Sequence, residues 1–302
     1  MGKYVFGPIP SRRLGRSLGV SPVIDKVCNY SCIYCQLGRT NKLSNLKEMF
    51  YPVDAIIREF KAFLERNIGY DVVSICGEGE PTLYLGLKDL ISKLKQLTHK
   101  PIVIITNGAL LDDEEVKGAL YEADIVMPSL DAYDEASFRT INRPRKDIKF
   151  ANVYNGLKTF SKHYKGTLFL EIMFIKDIND DDDALNKYSQ LLKDISYDKL
   201  YLNTPIRPPA ESFVEVPSDE FIYKAANKLK GQPINKNCLK FYSNIKDDYA
   251  AIVSIIKRHP MTYHEVMDFL KERKCNNIDR VITRLNNDEK IDLIKNNYRL
   301  KK

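Results

Sequence analysis

From residue 18 to about residue 203, short and nearly uninterrupted apolar runs alternate with amphipathic stretches, and that alternation leaves few folds open. The runs LGVSPVI (18–24), VVSIC (72–76), PIVIIT (101–106), DIVMPS (124–129), TLFLEIMF (167–174) and KLYLN (199–203) read as strands. Helical spacing falls between them, at 54–67, 87–96, 112–121, 149–161 and 183–195. A strand that is apolar on both faces must have both faces covered, which is the condition of a parallel sheet wrapped by helices. Six such units predict an open, partial (β/α)6 barrel rather than a closed eight-stranded one. In that α/β architecture chemistry belongs to the loops at the C-terminal strand ends, which can vary without disturbing the core.

The segment TPIRPPAESFVEVP (204–217) is rich in proline and is expected to cross the barrel mouth or its rim. Past Gly231-Gln232-Pro233 the pattern changes, so we expect a catalytic domain over 1–240 and a second, small domain over 245–302. In the second, a helix is predicted over 247–258, ending at His259-Pro260. Thr262 caps the next helix, and Glu265 three residues on completes a capping box. A third helix is expected over 277–286, and IDLIKNNYRL reads as two strands around Asn296-Asn297. Three helices and such a hairpin make a winged helix-turn-helix. Residues 245–302 carry 13 Lys or Arg against 9 Asp or Glu, a surplus of +4, whereas the rest of the chain carries +3. A basic unit beside a nearly neutral body points to a polyanionic partner, with a protein contact as the plainer alternative. The residues placed to meet phosphates or a groove are Asn276, Asn277, Asp279, Arg280, Thr283 and Arg284, with Lys290, Lys295, Arg299 and the terminal lysines on the wing.

No run of 18 apolar residues occurs, and the opening MGKYVFGPIPSRR has no apolar signal region, so a cytoplasmic protein without a membrane span is expected. Six cysteines in such a chain favour metal or redox chemistry over disulfides. Three of them form one run, Cys28-Asn-Tyr-Ser-Cys32-Ile-Tyr-Cys35, directly after the first predicted strand. Three thiolates on a short loop can ligate three irons of a [4Fe–4S] cluster and leave the fourth open to a small molecule. Zinc is the rival. Closed zinc sites need a fourth ligand and favour paired C-x2-C knuckles, and His99, His163, His259 and His264 show no such pairing.

The C-x3-C-x2-C run resembles the signature of the radical S-adenosylmethionine (SAM) superfamily, and later segments resemble that superfamily in order. The resemblance implies that Cys28, Cys32 and Cys35 hold the cluster and that Tyr34 packs on the SAM adenine. Gly77-Glu78-Gly79-Glu80-Pro81 is similar to the family's GGE motif. It implies that Gly79 lets backbone approach SAM and that Glu80 accepts hydrogen bonds from the SAM amino group. Thr106-Asn107-Gly108 and Ser129-Leu130-Asp131 end the third and fourth strands. Both look like segments that approach the ribose and methionine of SAM, making Asn107, Ser129 and Asp131 candidate contacts, although each tripeptide also suits an ordinary turn or cap.

A narrower resemblance covers residues 6–210. FGPIPSRRLGRSLGVSP, CNYSCIYCQLGRT, CGEGEPTL, INRP and NTPIRPP look like the group related to the wyosine tRNA-base synthase. The archaeal synthases of that group carry further cysteines ahead of the motif for a second cluster, whereas no cysteine here precedes Cys28. Cys76, Cys238 and Cys275 are scattered at no ligand-like spacing. Arg12, Arg13, Arg16, Arg39, Arg143, Arg145 and Arg207 are candidates to line the mouth for phosphate or carboxylate, the alternative being loop charges that pair with neighbouring acids. Glu171, in an otherwise apolar strand, faces either the lumen or a buried ion pair.

By this resemblance the chain is an enzyme that cleaves SAM reductively to methionine and a 5′-deoxyadenosyl radical, which takes hydrogen from a substrate. Flavodoxin or ferredoxin is the implied electron donor. A nucleic acid such as a tRNA base is the leading substrate. The alternative is a small molecule or protein side chain, with the winged helix as a protein-interaction module. A non-catalytic, DNA-binding cluster sensor would leave the Glu80 and Ser129 segments without a role.

Overall fold

The computed structural model describes residues 3–24, 26–234, 241–243, 245–294 and 296–301. The chain opens with an antiparallel pair, β1 (Val5–Ser11) and β2 (Gly15–Val20). A short parallel pair, β3 (Val27–Cys28) with β4 (Lys42–Leu43), then ties the two ends of the cysteine loop together. Alternation follows: α1 (Val53–Leu64), β5 (Val72–Ile75), α2 (Leu87–Leu97), β6 (Ile102–Thr106), α3 (Glu114–Leu120) and β7 (Ile125–Pro128). After α4 (Glu135–Ile141) and α5 (Phe150–His163) come β8 (Thr167–Met173), α6 (Asp182–Leu192), β9 (Lys199–Asn203), α7 (Asp219–Leu229) and β10 (Gln232–Pro233).

The sheet order is β1-β2-β5-β6-β7-β8-β9-β10, parallel from β2 onward. The six expected parallel strands are β2 and β5 to β9. Their apolar runs are explained by burial on two faces. Val73, Ile75, Ile102, Ile104, Leu168 and Leu170 pack outward under the helices, whereas Val72, Val103, Met127, Phe169 and Tyr201 fill the inner face. Burying each such side chain on either face is worth roughly 1.5–3 kcal/mol. The first strand differs from expectation. It starts at Gly15 and stops at Val20: Ser21 N still donates to Tyr4 O, one pair further on, but Pro22 has no N–H to continue the ladder.

Beyond residue 245, α8 (Asp248–Ile256), β11 (Met261–Thr262), α9 (Tyr263–Glu272), α10 (Ile278–Asn287), β12 (Ile291–Ile294) and β13 (Asn297–Leu300) follow in that order. The strands form a separate antiparallel sheet, β11-β13-β12. Ala251, Ile252, Ile255, Val266, Phe269, Leu270, Leu285 and Tyr298 make its apolar core, against which Ile9 of β1 also packs. The capping box is present: Glu265 N donates to Thr262 Oγ1 at 3.1 Å, and Thr262 N to Glu265 Oε2 at 2.7 Å. Cys238, Lys295 and Lys302 lie outside the described residues. No helix among the described residues is long and apolar enough to cross a membrane.

Candidate active site

The cysteine run leaves the sheet just beyond β2 and is laid across the C-terminal strand ends by three backbone anchors. Ser31 N donates to Asn142 O, Ile33 N to Ile141 O, and Glu211 N to Ile33 O. Tyr30 and Ile33 are buried beneath the loop while Cys28, Cys32 and Cys35 are half-buried. The Gly79 segment packs directly on the loop's start. Glu80 N donates to Val27 O at 3.0 Å, and a Cβ on Gly79 would lie 2.2 Å from that oxygen, so only glycine fits.

Amide groups face two of the sulfurs. Asn107 Nδ2 lies 3.6 Å from Cys28 Sγ, and Asn142 Nδ2 lies 3.5 Å from Cys32 Sγ; Tyr30 N is 3.4 Å from Cys28 Sγ. Burial, and then Glu80, push the Cys28 thiol up to about 12, and burial, then Asp131, raise Cys32. Such thiols stay protonated at neutral pH unless positive charge sits beside them. Thiols that need a cation, with N–H donors ready for thiolate sulfur, fit an iron–sulfur cluster. Among the described residues no three His, Cys, Asp or Glu side chains converge as ligands of a single metal ion. A tetrahedral zinc site would bring its sulfurs to about 3.8 Å of one another, given Zn–S of about 2.3 Å, whereas a cubane gives each thiolate its own iron.

The two carboxylates expected to face SAM have other partners. Glu80 is buried; its Oε1 accepts from Thr82 N (3.1 Å), Thr82 Oγ1 (2.7 Å) and Thr106 Oγ1 (2.6 Å), and its Oε2 from Asn107 N (2.8 Å). Four donors are about what a carboxylate can take. Asp131 is buried as well and accepts from Tyr34 Oη, from Asn142 Nδ2 at 3.0 Å and from Met173 N at 3.1 Å. Burial raises both carboxyl groups, and these donors hold them back. Glu80 thus fixes the turn that carries Asn107, and Asp131 orients both Tyr34 and Asn142. Ser129 is different: it is half-buried, and its hydroxyl makes no hydrogen bond among the described residues. Sequence reasoning left Asn29 and Asn142 unassigned. Asn29 lies inside the cysteine run and accepts from Asn107 Nδ2 at 2.6 Å; Asn142 lies in the INRP segment.

Most of the mouth arginines are neutralised. Arg13 pairs with Glu171, Arg39 and Arg143 with Glu211, Arg145 with Asp147, and Arg207 with Glu265 through two bonds of 2.6 and 2.8 Å, whereas Arg16 pairs with Asp71 at the N-terminal ends of β2 and β5 and so does not line the mouth. Glu171 therefore takes the ion-pair role, and also accepts from Asn203 Nδ2 at 3.1 Å. The C-terminal unit reaches the same rim. Lys257 Nζ and Arg258 Nε each lie 3.2 Å from Glu78 Oε1 of the Gly79 segment, and Gln36, next to Cys35, donates to Arg258 O at 3.2 Å.

Comparison with known proteins agrees with this geometry. The family model described as the radical SAM superfamily matches residues 23–187. A UPF0026 protein of Methanocaldococcus jannaschii is 36% identical over 303 residues, covering 95% of this chain and 91% of that protein. A Brachyspira hyodysenteriae protein named GTPase Obg is 36% identical over 289 residues, covering 95% of this chain, which spans only 41% of that protein's length. Among solved structures, TYW1 with a lysine–pyruvate adduct bound has a TM-score of 0.53 at 22% identity, over 72% of this chain and 74% of that one, a likeness of fold. The chain belongs to the radical SAM superfamily, enzymes that work with a [4Fe–4S] cluster and S-adenosylmethionine.

Proposed function

We propose that this enzyme modifies a nucleic acid, a tRNA base being the leading substrate, and that residues 245–302 act as a winged-helix module that recognises it. In this reading Cys28, Cys32 and Cys35 hold the cluster. Tyr34, the backbone at Gly79, Asn107 and the open hydroxyl of Ser129 meet SAM, and Glu80 and Asp131 set the groups around them. The cluster, when bound, supplies the electron for reductive cleavage of SAM, and a flavodoxin or ferredoxin is the donor that reduces it.

The observation that carries the substrate is the outer face of α10. Asp279, Arg280, Thr283 and Arg284 are exposed there, Asn276 and the N-cap Asn277 are exposed just ahead of the helix, and Lys290 and Lys301 are exposed nearby in sequence. Arg280 has no ion-pair partner among the described residues, so its charge is available to phosphate. A second reading, a small-molecule or protein substrate with the unit as a buttress, draws on the contacts that tie Lys257, Arg258 and Glu265 to the barrel rim.

The test is an anaerobic preparation with a reconstituted cluster. We expect about four irons per chain, loss of the cluster in any variant of Cys28, Cys32 or Cys35, and slow 5′-deoxyadenosine formation on reduction without substrate. Unmodified tRNA should then speed that formation and gain mass in a base. Bound zinc in place of iron overturns the chemistry, and indifference to tRNA overturns the substrate.

A further inference from the structure

Arg12 stands apart from the other arginines of the rim. Among the described residues no carboxylate lies within ion-pair distance of it; Nη2 donates to Asn203 Oδ1 at 3.3 Å and Nη1 to Ile234 O at 3.4 Å. Residues 235–240, which follow Ile234, contain no Asp or Glu. The neighbourhood is cationic. Burial and then Arg207 lower the Arg12 pKa to about 10, with Glu265 opposing, and burial and then Arg12 lower Arg13 to about 10. Both stay charged at neutral pH. His259, pushed down to about 3 by burial and then by Arg207, is neutral there and adds no charge.

Three guanidiniums thus share two carboxylates, Glu171 and Glu265, and both carboxylates are committed, to Arg13 and to Arg207. The uncompensated charge rests on Arg12, whose side chain keeps a solvent-exposed face while its guanidinium is partly covered where it meets Asn203. Holding an unpaired cation beside another is unfavourable unless a counter-ion arrives from elsewhere. The turn between β1 and β2 supplies Arg12, the 204–217 segment supplies Arg207, and the C-terminal unit supplies His259 and Glu265, so the cluster lies where barrel and tail meet. A guanidinium fork in such a place suits a tetrahedral oxyanion.

We propose that Arg12, with Arg207 beside it, binds a phosphate group of the substrate. The choice of phosphate rests on the nucleic-acid reading; a free mononucleotide would offer the same chemistry, and the experiment separates the two sources.

The test uses the full chain with its cluster reconstituted and no reductant, so that binding is read apart from turnover. Inorganic phosphate, guanosine 5′-monophosphate and unmodified tRNA are titrated calorimetrically into wild type, Arg12→Ala, Arg12→Lys and, as a control, Arg145→Ala. Saturable phosphate binding should weaken at least tenfold in Arg12→Ala, recover in part in Arg12→Lys and stay unchanged in Arg145→Ala. The thermal midpoint of Arg12→Ala should not fall, because the variant loses two long hydrogen bonds and no ion pair, and is relieved of the repulsion from the neighbouring guanidiniums. Weaker tRNA binding in Arg12→Ala assigns the phosphate to a polynucleotide. Weaker mononucleotide binding with tRNA unaffected keeps the phosphate site and sinks the nucleic-acid substrate instead. The site itself is overturned if wild type shows no saturable phosphate binding, or if Arg12→Ala binds phosphate and mononucleotide as tightly as wild type.

Discussion

Glu80 gathers donors from its own turn and from the end of β6 onto one buried carboxylate, so removing it does more than delete a ligand contact. Glu80→Ala would leave the N–H groups of Thr82 and Asn107 without an acceptor, at about 1–3 kcal/mol each. We expect a urea-unfolding loss of about 3 kcal/mol together with poorer cluster retention; unchanged stability would show that the carboxylate does not organise the turn. Asn142 offers a second, separate probe. Asn142→Leu removes the N–H that faces Cys32 Sγ, and hydrogen bonds to cluster sulfurs raise reduction potential, so the midpoint should move more negative in a spectroscopically monitored titration. A midpoint equal to wild type would exclude that role. These residues also mark how far the site was legible. The cysteine spacing could be read because it lies within one short stretch of chain, and the Gly79 turn was picked out by its resemblance to a family motif. The bonds of Glu80 to Thr106 and Asn107, and of Asp131 to Tyr34, Asn142 and Met173, could not, because those groups arrive from the end of β6, the cysteine run, the end of α4 and β8. Asn29 and Asn142 escaped notice because a buried asparagine has no spacing rule of its own.

The rim where α9 meets the 204–217 segment is clamped by the two-bonded, half-buried pair of Arg207 and Glu265. A double-mutant cycle with Arg207→Met and Glu265→Gln should return a coupling of about 1–3 kcal/mol. Burial pushes Glu265 up, but its bonds to Arg207 outweigh this and leave it below the ordinary 4.5. The clamp is therefore complete above pH 4.5 and lost as pH falls through the lowered folded value, so the coupling measured at pH 7 should shrink under acid. A coupling that ignores pH would assign the clamp to other groups. At this scale β2 and β5 to β9 were readable because burial on two faces leaves continuous apolar runs, whereas β10, only Gln232–Pro233, has no run to show. β1 was not, since Gly7, Pro8 and Pro10 read as a loop and a sheet edge tolerates them. The helix α4 is only seven residues long and is held by its Asp134–Ser137 capping box rather than by a long apolar stripe. α7 follows so closely on the proline-rich segment that the change of pattern masked it.

In the whole molecule, the C-terminal unit touches the Gly79 segment on one side and turns α10 outward on the other. If α10 binds tRNA, most of the affinity comes from Lys and Arg on phosphate, and binding falls steeply with salt, each contact contributing about 0.7–0.9 to the log–log slope. The variant must be chosen with the packing in view. Arg284 lies 3.7 Å over the ring of Tyr249, whose hydroxyl bonds Asp288, so replacing it would loosen the unit as well as remove a charge. Arg280 and Lys290 carry no such duty: Arg280 is exposed on α10, and Lys290 is exposed just before β12. Arg280→Ala with Lys290→Ala should lower the slope by about 1.4–1.8 and leave the unfolding midpoint in place. Substrate-free SAM cleavage should persist in this variant, because neither residue reaches the cysteine loop or the Gly79 segment, whereas tRNA-stimulated cleavage should fall. An unchanged slope together with undiminished modification of tRNA would leave α10 without a part in recognition, and the tail would then act through Lys257, Arg258 and Glu265 as a buttress of the barrel rim.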